Sequence, residues 1–192
     1  MPAQQQRFIL ARLSTPIGDM LIVTDEAQRL RALDWHDYEA RLLRLLKTHY
    51  GRAGIRLTNG TVPPQVREPL QDYLQGRLAA IDSIEVETAG TPFQRSVWQA
   101  LRHIPVGTTL TYSRLAAHIG CPKAVRAVGL ANGSNPIGVV VPCHRVIGAD
   151  GSLTGYGGGL ERKRWLLEHE GATFGRHTHR QLPLRVERST HA

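Results

Sequence analysis

Two cysteines occur in the 192 residues, and one stands among groups that could do chemistry. Cys143 follows Pro142 and is followed by His144 and Arg145. A thiol acts as a nucleophile through its thiolate, and cations beside it favour that form. A lone cysteine more often packs as a small buried hydrophobe, with any neighbouring His and Arg left on the surface. The surroundings of Cys143 argue for the reactive reading. Val139–Val141 reads as a short buried β-run, and Pro142 lacks the N–H that would continue it. The thiol is therefore expected at the end of a rigid element. Beyond it, Gly148–Gly151 is a tight-turn signal that predicts a hairpin of Arg145–Ile147 with Ser152–Thr154. Tyr156–Gly159 reads as a flexible loop whose backbone amides could approach a ligand. It lacks the GxxxxGK[ST] pattern of a phosphate loop.

The rest of the chain must position that segment. Residues 7–13, 19–24 and 30–35 read as an antiparallel meander. Asp37–Tyr50 has a helical apolar period and stops at Gly51. Gly54–Pro64 reads as a loop, Gln65–Leu74 as a helix, and Ile84–Thr88 as an edge strand. No catalytic constellation shows in this half. Thr88–Thr91 reads as a linker, after which short helices are expected. Phe93–Ile104 is capped by Thr91, and Tyr112–Ile119 is capped by Thr111. Lys123–Ala131 follows Gly120-Cys121-Pro122, a weak helix-turn-helix signal. That third helix is small or apolar apart from Lys123 and Arg126. Small residues such as Ala127 and Gly129 suit close approach to a minor groove, with one Arg entering the duplex. A core helix with one exposed Arg has the same composition, and composition alone sits slightly nearer to it. Glu161–Glu170 reads as a helix with Trp165, Leu166 and Leu167 inward and Arg162, Lys163 and Arg164 as its charged residues.

Composition is that of a globular protein, 41% hydrophobic and 21% charged. Two cysteines exclude a disulfide framework and suit a reducing compartment. The polar start MPAQQQRF and the lack of a long apolar run predict no signal peptide, no membrane association and a cytoplasmic location. The charge is uneven. Residues 1–90 hold 11 Lys+Arg and 11 Asp+Glu; residues 91–192 hold 13 against 5, so the whole excess of +8 lies there. Such asymmetry points to a polyanion, nucleic acid first, or to a solvated basic surface with a basic tail. Residues 173–192 read as that tail, disordered, with His177 and His179 solvated rather than metal-bound.

Pro142–Val146 (PCHRV), Arg126–Gly129 (RAVG), Asn135-Pro136, Tyr156–Gly159 and Trp165–Gly171 (WLLEHEG) together resemble the O6-alkylguanine-DNA alkyltransferases. The resemblance is strong over about residues 91–172. It implies an α+β fold: a ribonuclease-H-like antiparallel sheet with helices over 1–88, then a mostly helical, winged-helix-like domain over 91–172. It implies that Cys143 accepts an alkyl group from O6-alkylguanine in double-stranded DNA, once and irreversibly, with no cofactor and no zinc. His144 would be the base acting through a water, with Glu170 behind it, and Asn135 would brace the cysteine segment. Arg126 would fill the gap left by the flipped nucleotide, with Ala127 and Gly129 lying along the minor groove. Tyr112 would rotate the phosphate and donate to the purine. Cys143, Val146 and Gly157 would line the pocket with Tyr156 beside them, and Lys163 would help the leaving purine. Gly138 stands where some members have proline, and Gly157 where some have serine. A monomer in solution is expected; O4-alkylthymine activity and cooperativity on DNA stay open. A Cys-His hydrolase would need a histidine in direct reach of the thiol, which adjacent residues suit poorly. A lesion sensor would lack the cysteine.

Overall fold

The computed structural model describes residues 6–51 and 54–175. The expected basic tail and its two histidines fall beyond residue 175, outside the described residues apart from 173–175. Three strands, β1 (Gln6–Leu13), β2 (Met20–Asp25) and β3 (Leu30–Trp35), form the expected meander. The stretch expected to be a loop instead contributes β4 (Ile55–Asn59), which pairs parallel with β1 and gives the order β3-β2-β1-β4. Ile55 and Leu57 alternate with polar residues and pack on the sheet's apolar cluster, so the period of two was present but short. The expected strand at Ile84–Thr88 reduces to one parallel bridge, Val86 with Leu30.

β2 is buried along its whole length, because both faces of the sheet are covered. Alternate side chains point to opposite faces. Leu21 and Val23 face α1 (Glu39–Tyr50) and pack on its Leu42 and Leu46. Met20 and Ile22 face the other way, into a cluster that continues through Val97, Trp98, Leu101 and Leu115 to Val139 and Leu166. α2 (Pro64–Leu74) adds Val66, Leu70 and Tyr73 to it. One apolar cluster thus spans both halves of the chain. Each such buried aliphatic side chain is worth about 1.5–3 kcal/mol.

The second half is helical as expected. Thr91 caps α3 (Pro92–Arg102) through a reciprocal pair with Gln94. Thr111 caps α4 (Tyr112–His118), and α5 spans Val125–Gly133, two residues later than expected at each end. Val139–Val141 is buried but is not a strand. It coils through tight turns, with Val139 at φ 66°. Within residues 136–141 the bridge to β3 is made by Ile137, at Leu33. The predicted hairpin is absent: β6 (Val146–Ile147) pairs in parallel with β5 (Leu110–Thr111). α6 (Leu160–His169) closes the described fold. No described helix is long and apolar enough to cross a membrane.

Candidate active site

Cys143 opens a 3-10 turn, Cys143–Arg145, entered through Pro142 at φ −81° and ψ 64°. The approach is fixed by Asn135, which is 1% exposed. Its Nδ2 donates to the carbonyls of Ile137 (3.2 Å) and Val141 (2.8 Å), and its Oδ1 accepts from the Ile137 N–H at 3.0 Å. One amide side chain thereby staples both ends of the turn. This explains how a β-branched residue is held at positive φ, a conformation that costs about 1–3 kcal/mol.

His144 and Arg145 do not flank the thiol as surface cations. Both are buried, and both turn to Glu170. His144 Nε2 lies 2.9 Å from Glu170 Oε1. Arg145 donates to Glu170 through Nε and Nη2, each at 2.9 Å, and through Nη1 to the Ile104 carbonyl at 2.6 Å. Tyr73 completes the set, its hydroxyl donating to Glu170 Oε1 at 2.7 Å. Gly171, at φ 69°, ends α6 so that Glu170 sits in this cluster.

The electrostatics follow from these partners. Burial alone would raise the Glu170 carboxyl, but the contacts of His144 and Arg145 hold it far below the carboxylate range. The Glu170–Arg145 pair is neutral as a unit, so burial pushes His144 below its usual 6.5 despite the nearby carboxylate. An ionised carboxylate can only accept, so His144 Nε2 carries the proton. Nδ1 is then a free lone pair, buried with no hydrogen-bond partner among the described residues. The thiol is also not what its neighbours in sequence suggested. Burial pushes Cys143 up; the Asn135 amide, Arg41 and Lys163 oppose this without reversing it. The resting group is a thiol, and it needs a base.

Around it stand the other expected residues. Lys163 is fully buried. Its Nζ donates to the carbonyls of Val146 and Thr154, each at 2.6 Å, and burial lowers it to about 8. Tyr156 lies edge-on to His144 at 6.4 Å, and burial raises its phenol. Tyr112 is half-buried, its phenol raised by burial, with Thr154 and Asn132 opposing that rise and Cys143 adding to it. The Leu110–Thr111 ladder to Val146–Ile147 ties the start of Tyr112's helix to the cysteine turn. Gly157 faces the Arg41 guanidinium. Arg126 and Ala127 are not in this cluster: they lie on the exposed face of α5 with Leu130, while Gly129 packs near Tyr112. Tyr73 and Arg41 were not foreseen as site residues, and Arg145 was read only as a cation beside the thiol. Arg145 stood inside the quoted motif, whereas nothing local marks the other two.

These features define an α+β protein with a base-dependent buried thiol beside a helix pair whose second helix shows an arginine to solvent. Residues 92–172 match the family model described as 6-O-methylguanine DNA methyltransferase, DNA binding domain, and residues 9–88 match its ribonuclease-like domain. A methylated-DNA–protein-cysteine methyltransferase of Salmonella typhimurium is 53% identical over 165 residues, covering 86% of this chain and 96% of that protein. The protein of the same description from Shigella flexneri is 48% identical over the same length. A crystal structure of Mycobacterium tuberculosis OGT in complex with DNA superposes with TM-score 0.68 at 38% identity, covering 85% of this chain and 92% of that one. The chain belongs to the 6-O-methylguanine DNA methyltransferase family.

Proposed function

We propose that this protein repairs DNA by moving the alkyl group of O6-alkylguanine onto Cys143, one group per molecule. The observation that carries the assignment is the charge-balanced triad behind the thiol. Glu170 and Arg145 cancel, so His144 stays neutral with its lone pair on Nδ1. A water between Nδ1 and the thiol would pass the proton to His144, and Glu170 then stabilises the imidazolium. The thiolate attacks the alkyl carbon, the C–O bond breaks, and its electron pair leaves on the purine O6. Tyr112 would donate to that oxyanion, and the buried Lys163, whose N–H groups go to backbone carbonyls, would favour it through its charge. The C–S bond of the thioether product is stable to water and base, and no group among the described residues is placed to cleave it, so turnover stops.

The base must leave the duplex to reach a thiol that is 5% exposed. α5 suits that task on the minor-groove side: Ala127 allows close approach, and exposed Arg126 fills the vacated stack. The excess positive charge of residues 91–192 supports binding to the phosphate backbone. The reading divides the work between residues 1–88, which support, and 91–172, which bind DNA and react, and it takes the protein as a monomer.

The test is intact-mass spectrometry after incubation with a duplex carrying O6-methylguanine. One methyl should appear per molecule, mapping to Cys143, and none in Cys143→Ala. Methyl on Cys121, or repeated turnover, would overturn the assignment. Arg126→Ala should slow repair of duplex far more than reaction with the free base; equal slowing would remove its role in extrusion.

A further inference from the structure

Arg41, in the first turn of α1, is an N-terminal side chain that reaches the backbone around Asn135. Its Nη1 donates to Asp34 Oδ2 on β3 at 2.5 Å. Its Nη2 donates across to the carbonyls of Gly133 (2.8 Å) and Asn135 (3.1 Å). Gly133 is the last residue of α5, and the final carbonyls of a helix lack partners within it. A cation placed there satisfies them and meets the negative end of the helix dipole. The other side of the guanidinium lies against Gly157, where a methyl group would collide with it. One planar group therefore touches the end of α5, the Asn135 segment and the Tyr156–Gly159 loop at once. Side-chain exposure is 14% for Arg41 and 4% for Asp34, so the contact is not a surface ion pair.

The loop is held the same way at its next two residues. A side chain at Gly158 would collide with Trp35, and a Cβ at Gly159 would come within 3.0 Å of the Tyr38 hydroxyl. Arg162 makes the reciprocal reach from α6. It donates to the carbonyls of Ile17 (3.0 Å) and Gly158 (3.1 Å) and pairs with Asp37 at 2.9 Å. Its guanidinium lies over the Trp35 ring at 4.5 Å. The three glycines are thus filled from outside by N-terminal side chains.

We propose that Arg41 is a positioning residue for alkyl transfer, fixing the distance between the Asn135-stapled cysteine turn and the loop at Gly157. Arg41 acts through backbone carbonyls and touches no reacting atom. Its fork supplies two donors in one plane to partners on different elements, which a lysine ammonium reproduces only in part. The Arg41 charge also favours the Cys143 thiolate. This inference rests on Cys143 being the acceptor.

The experiment is single-turnover transfer from a labelled O6-methylguanine duplex and from the free base, with duplex affinity measured separately. Arg41→Gln should lower the transfer rate constant by about tenfold to a hundredfold on both substrates, the usual penalty for misplacing reacting groups. Duplex Kd should stay within about twofold, and Arg41→Lys should recover part of the rate. Gly157→Ala should slow transfer as well, because its methyl displaces the guanidinium. In the Arg41→Gln/Gly157→Ala double variant the two losses should combine to less than their product. Wild-type rates in Arg41→Gln, a loss confined to duplex affinity, or multiplicative losses in the cycle would overturn the proposal. Should the Arg41 variants not fold, Gly157→Ala alone decides, since a wild-type rate there removes the contact's role. Wild-type protein that transfers no methyl would instead sink the function itself.

Discussion

Two buried arginine–carboxylate pairs stand on either side of the cysteine turn, and they are built to opposite ends. Glu170 is saturated: His144, both nitrogens of Arg145's fork and the Tyr73 hydroxyl all meet its two oxygens. Asp34 receives one nitrogen of Arg41 and the Trp35 N–H. The result is a carboxyl held far below its ordinary range at Glu170 and one that burial lifts above 3.8 at Asp34. Full saturation is what lets a buried charge set the proton state of a neighbour. The sparser pair serves as an anchor, and the second fork nitrogen of its arginine is spent on carbonyls.

The largest separation between the two should come from cutting each carboxylate. Glu170→Ala leaves Arg145 buried and unpaired, and should cost about 3–5 kcal/mol in urea unfolding and abolish methyl transfer. Asp34→Asn leaves Arg41 its two carbonyls and should cost about 1–3 kcal/mol with transfer retained but slower. Equal costs would erase the distinction.

Acid titration sharpens it. The Glu170 carboxyl lies below its unfolded value, so its stabilisation is full above pH 4.5 and is lost as pH falls from there through the folded value. Asp34 has the opposite sign: its ionised form costs stability at neutral pH, and that cost is relieved as pH falls toward 3.8. Urea midpoints across this range should therefore flatten in Glu170→Gln and steepen in Asp34→Asn. The same slope in both variants would contradict the assignment of the acid limb.

The smallest expected effect is kinetic. Burial pushes His144 below its usual 6.5, so the transfer rate should be level through neutral pH and fall with a midpoint under 6.5. A midpoint above that value would mean that Glu170 outweighs burial at His144.

The sequence showed the acceptor region clearly because its signals are local. PCHRV, RAVG and the glycine run lie within short stretches, and caps such as Thr91 with Gln94 are three residues apart. It misled where local pattern and packing disagree. Three valines read as a strand, yet the Asn135 staple coils them into turns. The strand Ile55–Asn59 was missed because five residues between Gly and Pro signals look like a loop until β1 is beside them. Helix periodicity marked Lys163 only as charged, because it does not reveal three carbonyls waiting on other segments. The Arg41 contacts were out of reach, joining positions 92 and 94 apart in the chain.

The meeting of three glycines with Arg41, Trp35 and Tyr38 bears on how freely this protein could be recombined with its relatives. The two family models divide the chain near residue 90, which invites treating the parts as exchangeable modules. The glycine wells lie in one part and the side chains that fill them in the other. A chimera joining this C-terminal part to an N-terminal part without matching fillers would carry an unsupported loop beside the thiol. Recombination should succeed only between parents that agree at both ends of that fit.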